Sequence, residues 1–279
     1  MQKYKVLKEE NIIEYLTKQN IAKNKIKTLV KLGSISVNNK VINKLPYTVH
    51  PNDIITIGNK INTYDLNIVY EDKNYLVVDK KVGLLTISTS NENKNNEETL
   101  YKIVRKYLND KKEYAFIVNR IDKETSGLVI FAKNEKLKNA LQEDWNNIVK
   151  SRKYIAVVSG YISKDGRIDN YLYEDKLTFV HSTKIGGKRA ITNYHVIKTN
   201  KKYTMLDINI ETGRKNQIRV HMSEMDHPIV GDKKYYSKDN SLKRLCLHHY
   251  EISLIDPITN KLLTFKSNIP SIFNNLFER

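Results

Sequence analysis

The chain has 279 residues, 40% of them hydrophobic and 28% charged, with a formal net charge of +17 at pH 7. That length allows one or two domains with a substantial core, and no run approaches the roughly 18 apolar residues of a membrane helix. A lone cysteine, Cys246, excludes an internal disulfide and any multi-cysteine zinc site. The charge points to a polyanionic partner. Nucleic acid fits better than a membrane surface, because no basic amphipathic anchor helix is visible. Residues 1–10 alternate in charge without an apolar signal core, so a cytoplasmic protein is expected.

Residues 1–60 read as a separate module, with 11 Lys against 4 acidic residues. Ile12, Ile13, Tyr15 and Leu16 predict one short helix. A second begins near Asn24, a good N-cap, and stops at Gly33. Its apolar face is Ile26, Leu29 and Val30. Lys23, Lys27 and Lys31 recur every four residues and form a basic stripe on another face. Strands are predicted at Ser34–Val37 and Lys40–Ile42, joined by an Asn38-Asn39 turn, and at Asp53–Ile57. The polar stretch from Gly58 to Asp65 reads as a linker.

Beyond it a hairpin is expected from Asn67–Tyr70 and Tyr75–Asp79, then a mobile polar loop over Ser88–Glu98. Leu100, Ile103, Val104 and Tyr107 space a helix. Tyr114–Val118 and Leu128–Ala132 read as short buried strands around a polar loop. That loop carries Asp122 between Arg120 and Lys123, and by itself it is no more than a charged turn. Leu137, Ala140, Leu141 and Trp145 mark another helix. Strands are predicted at Lys153–Ser159, Ala190–Ile197 and Tyr203–Ile210, a helix at Gln217–Met225, and a last hairpin closes with Leu262–Phe265 around Pro257–Asn260. His248 and His249 read as structural, on opposite faces of a strand. The mixture is α+β with mostly antiparallel strands.

Four segments carry a resemblance. They are Asn119-Arg120-Ile121-Asp122-Lys123-Glu124-Thr125-Ser126-Gly127, Lys153-Tyr154-Ile155-Ala156, Glu211-Thr212-Gly213-Arg214-Lys215-Asn216-Gln217-Ile218-Arg219-Val220-His221, and His227-Pro228-Ile229-Val230-Gly231-Asp232. In this order the chain resembles the RluA/RluD-type RNA pseudouridine synthases, whose central motif is usually His-Arg-Leu-Asp-x-x-Thr-Ser-Gly. The two helices and Val-Asn-x-Lys-Val hairpin of residues 1–60 likewise resemble an S4-like RNA-binding domain. The resemblance implies a pseudouridine synthase catalytic fold over 66–279, a mostly antiparallel sheet with flanking helices, after a small α/β S4-like domain at 1–60.

The implied reaction turns uridine in RNA into pseudouridine. The N1–C1′ bond breaks, the uracil turns, and C5 joins C1′, so no metal or cofactor is needed. Asp122 would attack C1′ or remove the 2′ proton, ionised in either role, with Arg219 as the cation that depresses its pKa. Tyr154 would stack on the uracil and take the C5 proton, and a phenol with a pKa of about 10 needs help to do so. Arg120 would brace the gap left by the flipped base. Lys80, Lys188 and Arg214 are expected on phosphates, and Lys23, Lys27 and Lys31 on RNA. Asn119 and Asn216 stand where the family usually has His, and Lys81 where it has Pro; the two asparagines are expected side by side as supports. The expected substrate is large-subunit ribosomal RNA, bound by a monomer. Transfer RNA is the alternative target, and a non-catalytic ribosome-assembly factor the alternative role. No recognition-helix motif for DNA is present.

Overall fold

The computed structural model describes residues 2–31, 33–38, 40–58, 64–88 and 98–278. The chain divides into two compact units, Met1–Asp65 and Leu66–Arg279. The expected linker falls largely on residues 59–63 and the expected polar loop on 89–97. These, with residue 39 of the expected turn and the side chain of Lys31, lie outside the described residues.

In the first unit, β1 (Gln2–Lys5) and β2 (Glu10–Asn11) lead into α1 (Ile12–Lys18). Asn11 caps that helix by accepting from the Ile13 backbone N–H at 2.9 Å. Next comes α2 (Lys23–Lys31), followed by Gly33 at φ +65, the left-handed conformation that ends helices. Then come β3 (Ile35–Val37), β4 (Lys40–Val41), β5 (Thr48–Val49) and β6 (Ile54–Ile57). The sheet runs β1-β6-β3-β4, and β2 pairs with β5 separately. Ile26 and Val30 of α2 are buried in a core with Ile12, Leu16, Ile35 and Ile55, while Lys23 and Lys27 are exposed. The polar Gln-Lys-Tyr-Lys of β1 gave no apolar signal; its ladder with β6 makes it a strand.

The second unit opens with the hairpin β7 (Asn67–Glu71) and β8 (Tyr75–Lys80), then α3 (Leu100–Asp110), β9 (Phe116–Ile117) and β10 (Ser126–Ala132). The helix expected through Trp145 breaks at Asp144 into α4 (Glu135–Glu143) and α5 (Trp145–Ile148). There follow β11 (Val149–Ser159), β12 (Gly166–Glu174), β13 (Val180–Thr183), β14 (Lys188–Thr199), β15 (Tyr203–Ile210), α6 (Gln217–Glu224), β16 (Leu247–Ile255) and β17 (Leu262–Lys266). Their order is β13-β12-β14-β15-β11-β16-β10-β8-β7, with β17 beside β16 and β9 beside β10. The architecture is α+β, and every described pairing in this sheet is antiparallel except β10 with β16.

That parallel contact positions the site. All seven residues of β10 are buried, and Leu128 and Ile130 pack with Tyr75, Val77, Leu141 and Ile252. Each such side chain contributes roughly 1.5–3 kcal/mol. Gly127 pairs with His249, and a Cβ on it would lie 2.2 Å from the His249 carbonyl oxygen. Its φ of +118 also suits only glycine. The strand therefore begins two residues earlier than the apolar run suggested. The polar loop ends at Thr125, against the centre of the sheet.

Candidate active site

The loop between β9 and β10 is tied down from several directions. Asn119 Oδ1 accepts from the Ile130 N–H at 2.7 Å, and Thr86 Oγ1 donates to the Ile121 carbonyl at 2.7 Å. The Thr125 N–H closes a turn onto the Asp122 carbonyl at 3.1 Å. Beneath lies Lys80, whose Nζ donates to the carbonyls of Lys81, Leu84 and Lys123 at 2.9, 2.7 and 2.9 Å. Lys80 is only 1% exposed, so the expected phosphate contact is wrong. Its amino group is spent on one carbonyl of the loop and two of the segment after β8, and cannot reach RNA. Burial pushes its pKa down to about 8, against the upward pull of Glu124, Asp122 and Asp79.

Above this support Asp122 borders a cavity of about 310 Å³, shared with Arg120, Arg152, Tyr154, Arg214 and Arg219. Burial is the largest influence on the Asp122 carboxyl and holds its pKa above the ordinary value, only partly offset by Arg219 and Arg120. The expected depression is therefore corrected. The reason is geometric. Arg219 stands 3.8 Å from Asp122 Oδ2, within an ion pair but beyond a hydrogen bond. Its fork instead grips Asp232 at 2.7 and 2.8 Å, and its third nitrogen donates to Asn216 Oδ1 at 3.0 Å. Asp232 is buried and also accepts from the backbone N–H groups of Lys234 and Tyr235.

Helix α6 can hold Arg219 there because its polar side chains are anchored inward. Gln217 donates to Ile191 and Thr192, and His221 bonds Thr192 and Asn170, each at 2.9 Å. Asn216 precedes the helix at φ +53, a left-handed conformation that asparagine tolerates. It donates to the Tyr235 hydroxyl at 3.1 Å. Asn119 and Asn216 border one cavity but brace different elements, one strand β10 and the other Arg219. They divide the support expected of them as a pair.

On β11, Tyr154 is 8% exposed and stacks on His249, with centroids 4.4 Å apart and planes at 16°. The imidazole Nδ1 lies 2.8 Å from the Leu128 carbonyl, which can only accept, so Nδ1 carries the proton. Burial pushes His249 down to about 4, leaving it neutral at pH 7 with Nε2 buried and unpartnered among the described residues. Its neighbour His248 belongs to a hydrogen-bonded chain with Ser126 and Ser267. Burial also pushes the Tyr154 phenol up, and Arg152 is the cation that offsets this.

Arg152 was missed. Lys153, next to Tyr154 in its motif, faces the other way, because adjacent residues of a strand alternate, and its Nζ lies 3.5 Å from Glu251. Two residues before Tyr154, Arg152 borders the cavity; period-two counting would have found it. Asp232 was quoted only inside its motif, and no local signal marked it as the partner of Arg219. Arg120 and Arg214 are exposed at the cavity, whereas Lys188 is exposed but does not border it.

Comparison with known proteins gives the family. The profile of the RNA pseudouridylate synthase family matches residues 74–224, more than half of the chain. The YlyB RNA pseudouridine synthase of Bacillus subtilis is 31% identical over 97% of this chain and 94% of its own. Ribosomal large subunit pseudouridine synthase D of Borreliella burgdorferi is 35% identical over 74% of this chain and 66% of its own. In fold, human RNA pseudouridylate synthase domain containing 1 superposes with a TM-score of 0.63 at 20% identity, covering 76% of this chain and 86% of its own. The chain belongs to the RNA pseudouridylate synthase family, in its RluA/RluD-type branch. It is an isomerase that converts uridine in RNA to pseudouridine.

Proposed function

We propose that this enzyme modifies large-subunit ribosomal RNA, with Asp122, Tyr154 and Arg219 as its catalytic residues. The observation that carries the reading is a single carboxylate, Asp122, at a cavity otherwise charged by arginines. A flipped uridine entering there meets Asp122 with its ribose and Tyr154 with its base. Asp122, once ionised, attacks C1′ or removes the 2′ proton, and the N1–C1′ bond breaks. Arg219 steadies the carboxylate without binding it, which leaves both oxygens free to react. After the uracil turns, C5 bonds to C1′ as the Asp122–C1′ bond breaks or as Asp122 returns the 2′ proton; the C5 proton then leaves with the help of Tyr154, and N1 ends protonated. Atoms are conserved throughout. Arg120, exposed beside Asp122, fills the gap left by the base.

The ribosomal target rests on relatives named ribosomal large subunit pseudouridine synthase D, such as that of Pasteurella multocida at 28% identity over 92% of this chain. The first unit, with exposed Lys23 and Lys27 on α2 and a following strand pair, acts as an S4-like RNA-binding module. The enzyme works as a monomer in the cytoplasm. Mapping pseudouridines in ribosomal and transfer RNA from a deletion strain tests the target. Loss of a large-subunit site supports it; loss confined to transfer RNA, or no loss, refutes it.

A further inference from the structure

The cavity carries more positive charge than Asp122 accounts for. Arg219 is paired with Asp232 and faces Asp122, but Arg152 and Arg214 have no carboxylate partner among the described residues. Each is held by one backbone carbonyl. Arg152 donates to Glu211, and Arg214 Nε donates to Arg189 at 2.9 Å. The two lie close enough that Arg214, after burial, helps depress the pKa of Arg152. Neighbouring cations, Arg152 partly buried and Arg214 exposed, repel one another, and no acid among the described residues compensates them. An arriving anion would.

Guanidinium groups with unspent N–H donors match phosphate oxygens in shape and charge. A uridine that enters the cavity brings a phosphodiester on each side. On the reading that the cavity takes such a uridine, we infer that Arg152 and Arg214 form a phosphodiester-binding subsite at its mouth, gripping the RNA backbone beside the target nucleotide. Gly213 is part of the device. Arg152 crosses it so closely that a Cβ there would lie 2.8 Å from the guanidinium Nη1. The bare glycine is what lets the arginine reach the mouth.

The rival role for Arg152 is to lower the pKa of the Tyr154 phenol, and the two roles separate in kinetics. Full-length Arg152→Gln, Arg152→Lys, Arg214→Gln and Gly213→Ala are compared with wild type on an unmodified large-subunit ribosomal RNA transcript. The subsite predicts that each Gln variant raises KM about tenfold, as loss of a charge-assisted hydrogen bond does. It also predicts a fall of about 0.7 in the slope of log affinity against log salt for each Gln variant. The loss falls on KM rather than kcat. Arg152→Lys keeps the slope, and Gly213→Ala raises KM with the charge intact. Unchanged KM and slope, with a fall in kcat and a moved alkaline limb of the pH profile, would overturn the subsite in favour of the rival. Should Arg152→Gln fail to fold by circular dichroism, Arg214→Gln and Gly213→Ala decide. Failure of wild type to modify the transcript refutes the target, not the subsite. Binding of uridine 3′,5′-bisphosphate against uridine then decides it: tighter binding of the bisphosphate by wild type but not by Arg152→Gln supports the subsite, and equal affinity for both ligands overturns it.

Discussion

Lys80→Met tests how the loop that carries Asp122 is held. The wild-type amino group is buried on three carbonyls, and its pKa is lowered from 10.5 to about 8. A base whose folded pKa lies below its unfolded one binds fewer protons when folded. Its charge therefore opposes folding at neutral pH, and stability rises as pH climbs through the window from about 8 to about 10.5. With those two values the opposition is about 3 kcal/mol at pH 7 and about 1 kcal/mol at pH 10. Methionine keeps the stem and does not titrate. It also strands the three carbonyls, at roughly 1–3 kcal/mol each at most, but that cost does not change with pH. Wild type should thus gain roughly 2–3 kcal/mol over Lys80→Met between pH 7 and pH 10. Urea unfolding at both pH values measures it, followed through the fluorescence of the single tryptophan, Trp145, which borders the cavity in the second unit. Equal stability gaps at the two pH values would refute the buried, charged lysine.

Three further outcomes follow from the site. Tyr154→Phe should retain RNA binding but slow release of tritium from 5-tritiated uridine in RNA by roughly 10²–10⁴, as loss of a general base does; near-normal release would leave Tyr154 a stacking surface. Asp232→Asn removes a negative neighbour of Asp122 and frees Arg219 to engage it. Both effects lower the Asp122 pKa, so the acid limb of kcat/KM should move to lower pH, and a stationary limb would show that Asp232 does not act on Asp122. Removing residues 1–65 should weaken RNA binding and flatten its dependence on salt, with modification of a short RNA persisting at high enzyme concentration; unchanged affinity and slope would rule out an RNA-binding role for the first unit.

The parts of the fold and site that were legible in the sequence are those whose chemistry is local. Asp122, Tyr154 and Arg219 sit in contiguous motifs, and all three border one cavity. Strand β15, Tyr203–Ile210, is apolar enough that its predicted limits are the observed ones. Strands β12 and β13 give no clear apolar signal because Arg167, Asp169, Tyr171 and His181 make their faces half-polar, and pairing of β12 along β14 and of β13 along β12 supplies what composition did not. Lys80 was misplaced because a lysine in sequence reads as surface charge, and only folding turns its own following segment and the distant Lys123 carbonyl onto its amino group. The pull of Asp232 on Arg219 is likewise tertiary. It separates Arg219 from Asp122 by an amount no spacing rule contains. Arg152 differs from these, since strand alternation already placed it on the face of Tyr154.

The role of Asp122 is tested most directly by Asp122→Asn, assayed for pseudouridine formation in RNA that wild type modifies and, separately, for RNA affinity. The amide keeps the shape of the carboxylate and its place at the cavity but cannot carry the charge. The predicted result is loss of pseudouridine formation with affinity nearly unchanged. Turnover within about tenfold of wild type, a smaller loss than removal of a single acid–base group causes, would contradict the account.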